Sequence, residues 1–138
     1  MTVKKIMKTN VICITLEKTL ADALKSLIKQ NISGMPVVDN DNNLLGIITK
    51  SDIFKNTNKK TYELNNIRVK DMMVNQVCKL VPDDPIMKAV DYLNKHNISR
   101  LPIVQNEKVV GILTREDIIK YYVELKETGR SQCWRKIL

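Results

Sequence analysis

Two Thr/Asp pairs carry the residue types for chemistry: Thr49 with Asp52 in "GIITKSD" (46–52), and Thr114 with Asp117 in "GILTRED" (111–117). In each, an apolar run gives way to a charged one, and the acid follows the hydroxyl by three residues. At a helix start this spacing makes a capping box, in which the hydroxyl accepts from a first-turn N–H and the acid reaches back. The same spacing suits binding. An ionised carboxylate is acceptor-only, so it can receive both hydroxyls of a ribose cis-diol. A Thr hydroxyl beside the unpaired N–H groups of a first turn favours phosphate. Capping and binding do not exclude each other, and the residue types leave both open.

The elements that must position these pairs are also written twice. "VKKIMKTNVICIT", from Val3, aligns with "VKDMMVNQVCKLV", from Val69, 66 residues on; "KQNISGMPVVDN" (29–40) aligns with "KHNISRLPIVQN" (95–106) at the same offset. One residue is then lost between "DNDNN" and "QNEK", a polar turn where a deletion is tolerated, and the two Gly-initiated motifs fall 65 residues apart. Each copy reads as β-α-β-β-α. An extended segment (Val11–Ile14, Val77–Val81) leads into an amphipathic helix whose apolar face is Leu20, Ala23, Leu24, Leu27 and Ile28, or Ile86, Ala89, Val90 and Leu93. Asp84 as N-cap and Pro85 at the first helical position give the second copy the clearer start, against Thr19 or Lys18 in the first. Two apolar β runs follow, "MPVV" and "LLGIIT", then "LPIV" and "VVGILT", with the character of strands covered on both faces. Neither copy is large enough to bury much surface alone, so each needs the other for a core. The expected organisation is repeat one over 1–55, a polar linker over 56–68, repeat two over 69–122, and a helix end and tail over 123–138.

Composition narrows the function. The 138 residues are 43% hydrophobic and 28% charged, ordinary for a globular protein, with aromatics only 4%, so the core must be aliphatic and Met-built. No apolar run approaches a membrane span and the N-terminus lacks a signal-peptide stretch, which predicts a cytoplasmic protein without membrane association. Cys13, Cys78 and Cys133 show no CxxC spacing and read as reduced thiols. With His96 the single histidine, a His-based metal site or triad has no support, and no nucleophile stands beside a base. His96 itself reads as a polar helix end. The net charge of +8 and a pI near 9.4 attract polyanions, though a lysine-rich solvated surface explains them as well.

The "NIS-x-h-P-V/I-V" stretch and the "G-h-h-T-x-x-D" ending, both present in both copies, resemble a tandem pair of cystathionine-β-synthase-type (CBS) domains, a Bateman module, over residues 3–55 and 69–122. The resemblance implies an α+β (α/β) fold of two β-α-β-β-α repeats packed with pseudo-twofold symmetry through their sheets, with two clefts between them, and dimerisation into a disc of four repeats. It implies that Asp52 and Asp117 hold ribose, and Thr49 and Thr114 phosphate, of adenosyl ligands. It also implies an adenine slot from Met7, Ile12 and Ile32 in repeat one and from Met73, Cys78 and Ile98 in repeat two; plain core packing accounts for each of these singly. In nucleotide-sensing members, basic residues just before the first strand of the hairpin contact phosphates. Arg100, where repeat one has Gly34, is thus a phosphate candidate or a solvated surface arginine. Asn31, Ser33, Asn97 and Ser99 are neutral where charge sensors carry His or Arg, which favours AMP, S-adenosylmethionine or a related compound over ATP or ADP.

The leading reading is a non-catalytic regulatory module. It would need no cofactor, bind an adenosyl ligand (AMP, ADP, ATP or S-adenosylmethionine), form a homodimer, and act on an effector protein not visible in the chain. Two readings compete with it: a basic nucleic-acid-associated module, and a scaffold whose motifs only cap helices. Gly129 reads as a helix stop, and Trp134 with Arg135 and Lys136 as a docking tail or a mobile terminus.

Overall fold

The computed structural model describes residues 1–56 and 61–127. Gly129, Cys133, Trp134, Arg135 and Lys136 lie outside the described residues. The elements in chain order are β1 (Ile14–Thr15), α1 (Leu20–Gln30), β2 (Gly34–Val38), β3 (Leu44–Thr49), α2 (Lys50–Asn56), α3 (Val69–Met72), α4 (Ile86–Lys95), β4 (Arg100–Gln105), β5 (Lys108–Thr114) and α5 (Arg115–Glu127). They divide into two compact units whose boundaries are not those of the sequence repeats. One unit, named here for Asp52, comprises Asn10–Val77 and Val104–Val109; the other, named for Asp117, comprises Met1–Thr9, Cys78–Ile103 and the chain from Val110.

In the Asp52 unit, β1 runs parallel to β2 and β2 antiparallel to β3, with Gly34 paired to Thr49 and Pro36 to Ile47. All five residues of β2 are buried, as its unbroken apolar run requires. Leu20, Ala23 and Leu27 of α1 close over Met35, Val37 and Ile48, and each fully buried Leu, Met, Val or Ile side chain contributes about 1.5–3 kcal/mol. Ile28, placed on the same apolar face by its spacing, is instead 68% exposed: the apolar stripe is wider than the core beneath it. The second half of the polar linker is also packed. Leu64 and Ile67 join this core, the Ile67 carbonyl accepts from Leu20 N–H at 2.9 Å, and the Arg68 guanidinium donates to the Glu17 carbonyl at 2.7 Å. Val69, the first residue of repeat two, is fully buried here.

The Asp117 unit is built alike. Ile86, Ala89 and Leu93 of α4 pack on Leu101, Ile103 and Leu113, and Val3 from the start of repeat one is buried among them. The extended segment expected over Val77–Val81 contracts to one parallel bridge, Leu80 with Ile103, just as Val11–Ile14 supplies only the start of a two-residue β1. The tight turn of the repeat-two hairpin at Asn106 and Glu107, which falls in the Asp52 unit, has φ of 52° and 71° and suits a two-residue hairpin loop. Its longer counterpart in repeat one is organised by Asp39, whose Oδ1 accepts from the N–H groups of Asp41 and Asn43, both at 2.9 Å. That is where the one-residue deletion falls.

The helix starts reverse the expectation. Thr19 closes a complete capping box with Asp22, each bond 3.1 Å. Pro85 is the N-cap of α4 and makes no side-chain cap bond. Asp84 instead turns its carboxylate to Val81 N–H at 2.8 Å and to Lys88 Nζ at 3.2 Å. Cys13 and Cys78 are free and half-buried; burial pushes the Cys13 thiol pKa up. No helix among the described residues is long and apolar enough to cross a membrane.

Candidate functional site

Thr114 ends β5 and Asp117 sits in the first turn of α5, so the strand-to-helix junction fixes both. Asp117 is the single charged residue buried among those described, at 8% exposure. A buried carboxylate needs its acceptors filled, and this one accepts from Thr114 N–H at 3.0 Å, while Thr114 Oγ1 accepts from Asp117 N–H at 3.2 Å. Its other oxygen, Oδ1, lies 3.5 Å from Lys8 Nζ. Arg100 opens β4 close by. Burial pushes the pKa of its guanidinium down, and Asp117, then Glu116, pull it back up. It is therefore a half-buried cation facing these carboxylates rather than a solvated surface arginine. The junction is further held where Arg115 N–H donates to the Ser99 carbonyl at 3.2 Å.

The Asp52 unit repeats the frame with different occupants. Thr49 Oγ1 donates to Asp52 Oδ2 at 2.8 Å and accepts from Asp52 N–H at 3.0 Å; Lys50 N–H donates to the Ser33 carbonyl at 2.8 Å. Gly34 stands where Arg100 stands in the other copy. A Cβ there would meet Thr49 Cγ2 at 2.9 Å and the Ile48 carbonyl at 3.1 Å.

The apolar candidates regroup. Met7, Cys78 and Ile98 each pack against the core of the Asp117 unit, and Met73, Ile12 and Ile32 against that of the Asp52 unit. The cause is an exchange of leading segments between the sequence repeats. Lys8 and Ile112 trade N–H···O bonds, both 2.9 Å; Val74 and Ile47 do the same at 2.9 and 3.0 Å. Each segment thus lies along the strand carrying the Gly of the motif. Reading the sequence missed Lys8 as a site residue. Its signal was present in the alignment of the copies, where "IMK" faces "MMV".

Asn31 and Asn97 take left-handed backbone, φ 53° and 50°, and the N–H groups that follow, of Ile32 and Ile98, close onto the Leu27 and Leu93 carbonyls at 3.0 and 3.2 Å. Their recurrence is thereby explained as a helix stop, since Asn tolerates this conformation. His96 caps α4 and meets Tyr92 edge to face.

A groove of about 550 Å³ between α1 and α2, lined by Leu24, Ile28, Lys50, Ser51, Ile53 and Phe54, is apolar and open and contains neither Thr49 nor Asp52.

The model of the CBS domain matches residues 3–58 and 69–124. The chain is a tandem CBS-domain protein. The CBS pair is 30% identical over 135 residues to a CBS domain-containing protein of Dictyostelium discoideum, spanning 91% of this chain and 93% of that one. It is 37% identical over 117 residues to homoserine O-acetyltransferase of Methanococcus vannielii, of which it spans only 24%. Among solved structures it is similar to the CBS domain pair of protein MJ0100 in complex with 5′-methylthioadenosine and S-adenosyl-L-methionine, with TM-score 0.78 and 33% identity, covering 90% of this chain and 97% of that one. The CBS pair therefore has the mixed α+β fold of its family.

Proposed function

We propose that the chain is a non-catalytic regulatory module that binds an adenosyl ligand at its Thr/Asp sites. The observation that carries this reading is the juxtaposition, in one compact unit, of buried Asp117, Thr114, the cations Lys8 and Arg100, and the apolar side chains Met7, Cys78 and Ile98. These are the components an adenosyl compound needs: an acceptor for the ribose diol, donors for an anionic 5′ group, and an apolar slot for the base. The similar MJ0100 pair, in complex with two adenosyl compounds, supports the same ligand class here. Asp52 and Thr49 with Met73, Ile12 and Ile32 form the second site. The ligand's differential affinity for two arrangements of the module is the signal, and its recipient is an effector protein.

The module is also proposed to be a homodimer. Ile28 and Phe54, 68% and 82% exposed beside the α1/α2 groove, are the apolar residues that a second copy would cover. Thermal unfolding with AMP, ADP, ATP, S-adenosylmethionine and 5′-methylthioadenosine tests the binding reading. A specific ligand at a hundredfold excess over Kd adds about 2.7 kcal/mol. Absence of a shift with every compound, together with salt-sensitive retention on RNA or DNA, would replace this reading with nucleic-acid association through the basic surface.

A further inference from the structure

We propose that the two Thr/Asp sites take adenosyl ligands of different charge: the Asp117 site, served by Lys8 and Arg100, takes a 5′-phosphate, and the Asp52 site, with Val74 and Gly34 in those places, takes an uncharged 5′ substituent. The inference rests on the adenosyl reading above.

The two sites have the same backbone and differ in side chains. Lys8 and Val74 occupy matching positions, each fixed by a pair of N–H···O bonds to the residue after the motif glycine, Ile112 or Ile47. From that place Lys8 sends an ammonium to within 3.5 Å of Asp117, whereas Val74 offers an isopropyl group, 42% exposed. The first position of the hairpin's first strand repeats the contrast. Arg100 provides a planar fork suited to phosphate, and Gly34 has no room for a side chain against Thr49.

Lys8 is the mobile cation of the Asp117 site. The Lys8 side chain is 59% exposed, so its flexible stem can carry the ammonium from Asp117 to a phosphate once ribose hydroxyls fill the carboxylate. Exposed Glu116, like Asp117, acts electrostatically on Arg100, so the site is not bare positive charge, and Lys8 is paired with the buried acid. In the Asp52 unit the motif's own cation, Lys50, is among the residues that line the α1/α2 groove with Leu24 and Ile28. A phosphate dianion there would lose water without gaining either of the two partners present in the other site.

Calorimetric titration of AMP and 5′-methylthioadenosine isolates the sites when run on Asp52→Ala, which leaves the Asp117 site, and on Asp117→Ala, which leaves the other. Asp52→Ala protein should prefer AMP and Asp117→Ala protein 5′-methylthioadenosine. Adding Lys8→Ala to the Asp52→Ala protein should weaken AMP about tenfold or more and 5′-methylthioadenosine less than about threefold, as expected for losing a charge-assisted contact. Val74→Lys in the Asp117→Ala protein should raise AMP affinity. Equal weakening of both compounds by Lys8→Ala, or AMP binding equally well to both single-site proteins, would overturn the inference while leaving adenosyl binding intact. Wild-type protein that binds neither compound would overturn the adenosyl reading itself.

Discussion

Gly46 lies directly against the Val74 carbonyl: a Cβ on Gly46 would stand 2.7 Å from that oxygen and 2.8 Å from Met73 Sδ. The glycine that opens each motif is thus a docking place for the leading segment of the other sequence repeat, with Gly111 receiving Met7 as Gly46 receives Met73. The two are not equally demanding. At Gly111 the nearest atom is Met7 Sδ at 2.6 Å, with the Lys8 carbonyl at 3.2 Å, and a methionine can turn aside where a backbone carbonyl cannot. Gly46→Ala should destabilise by about 1–3 kcal/mol, and Gly111→Ala by less. Urea unfolding midpoints for the two variants check the order.

The left-handed asparagines give a second contrast. Asn97→Gly should leave stability within a few tenths of a kcal/mol, because glycine adopts this conformation freely. Asn97→Val should cost about 1–2 kcal/mol. The same pair of variants at Asn31 should behave alike, as read by thermal unfolding. A loss of adenosyl binding in Asn97→Gly without loss of stability would show that the side chain has a role beyond stopping the helix.

Much of this was legible because the chain states its pattern twice. The helix faces, the hairpins and the Thr/Asp pairs recur in register, and two weak signals at one fixed offset make a strong one. The exchange of leading segments was not legible. Met7 and Met73 occupy equivalent places in the two copies, so nothing local distinguishes packing on the following residues from packing on the other copy; only tertiary closure against Gly111 and Gly46 decides it. The placing of Met7 with Cys78 and Ile98, and of Met73 with Ile12 and Ile32, was illegible for this reason, and Lys8 escaped notice because its partner Asp117 is remote in the chain. Thr19 with Asp22 was a different failure. It has the same T-x-x-D spacing as the two site motifs and is a complete cap, but a neighbouring Pro85 in the other repeat looked like the better signpost.

Acid should act on the carboxylates that cap and turn. Asp22, held by the Thr19 N–H and hydroxyl, and Asp39, held by Asn43 and Asp41, both have pKa values lowered from 3.8. A depressed folded pKa contributes stability above the unfolded value, and that contribution is lost as pH falls through the folded one. Melting temperature should therefore decline below about pH 4, and Asp39→Asn should flatten the decline. An unchanged slope in that variant would remove Asp39 from the acid response.

Phe54 and Ile28 carry the proposed dimer. Phe54→Glu should convert the protein to a monomer by light scattering, with little effect on the unfolding of the Asp52 unit, since the ring is largely in water. A wild-type protein that is monomeric at all concentrations would contradict the dimer.

The central claim is that the two Thr/Asp pairs are ligand sites and not caps alone. Titration calorimetry of 5′-methylthioadenosine and AMP into wild-type, Asp52→Ala, Asp117→Ala and doubly substituted protein tests it most directly, with folding verified by circular dichroism. Wild type should bind saturably, each single variant should lose part of the binding, and the folded double variant should bind neither compound. Binding to the double variant with wild-type affinity and stoichiometry would contradict it.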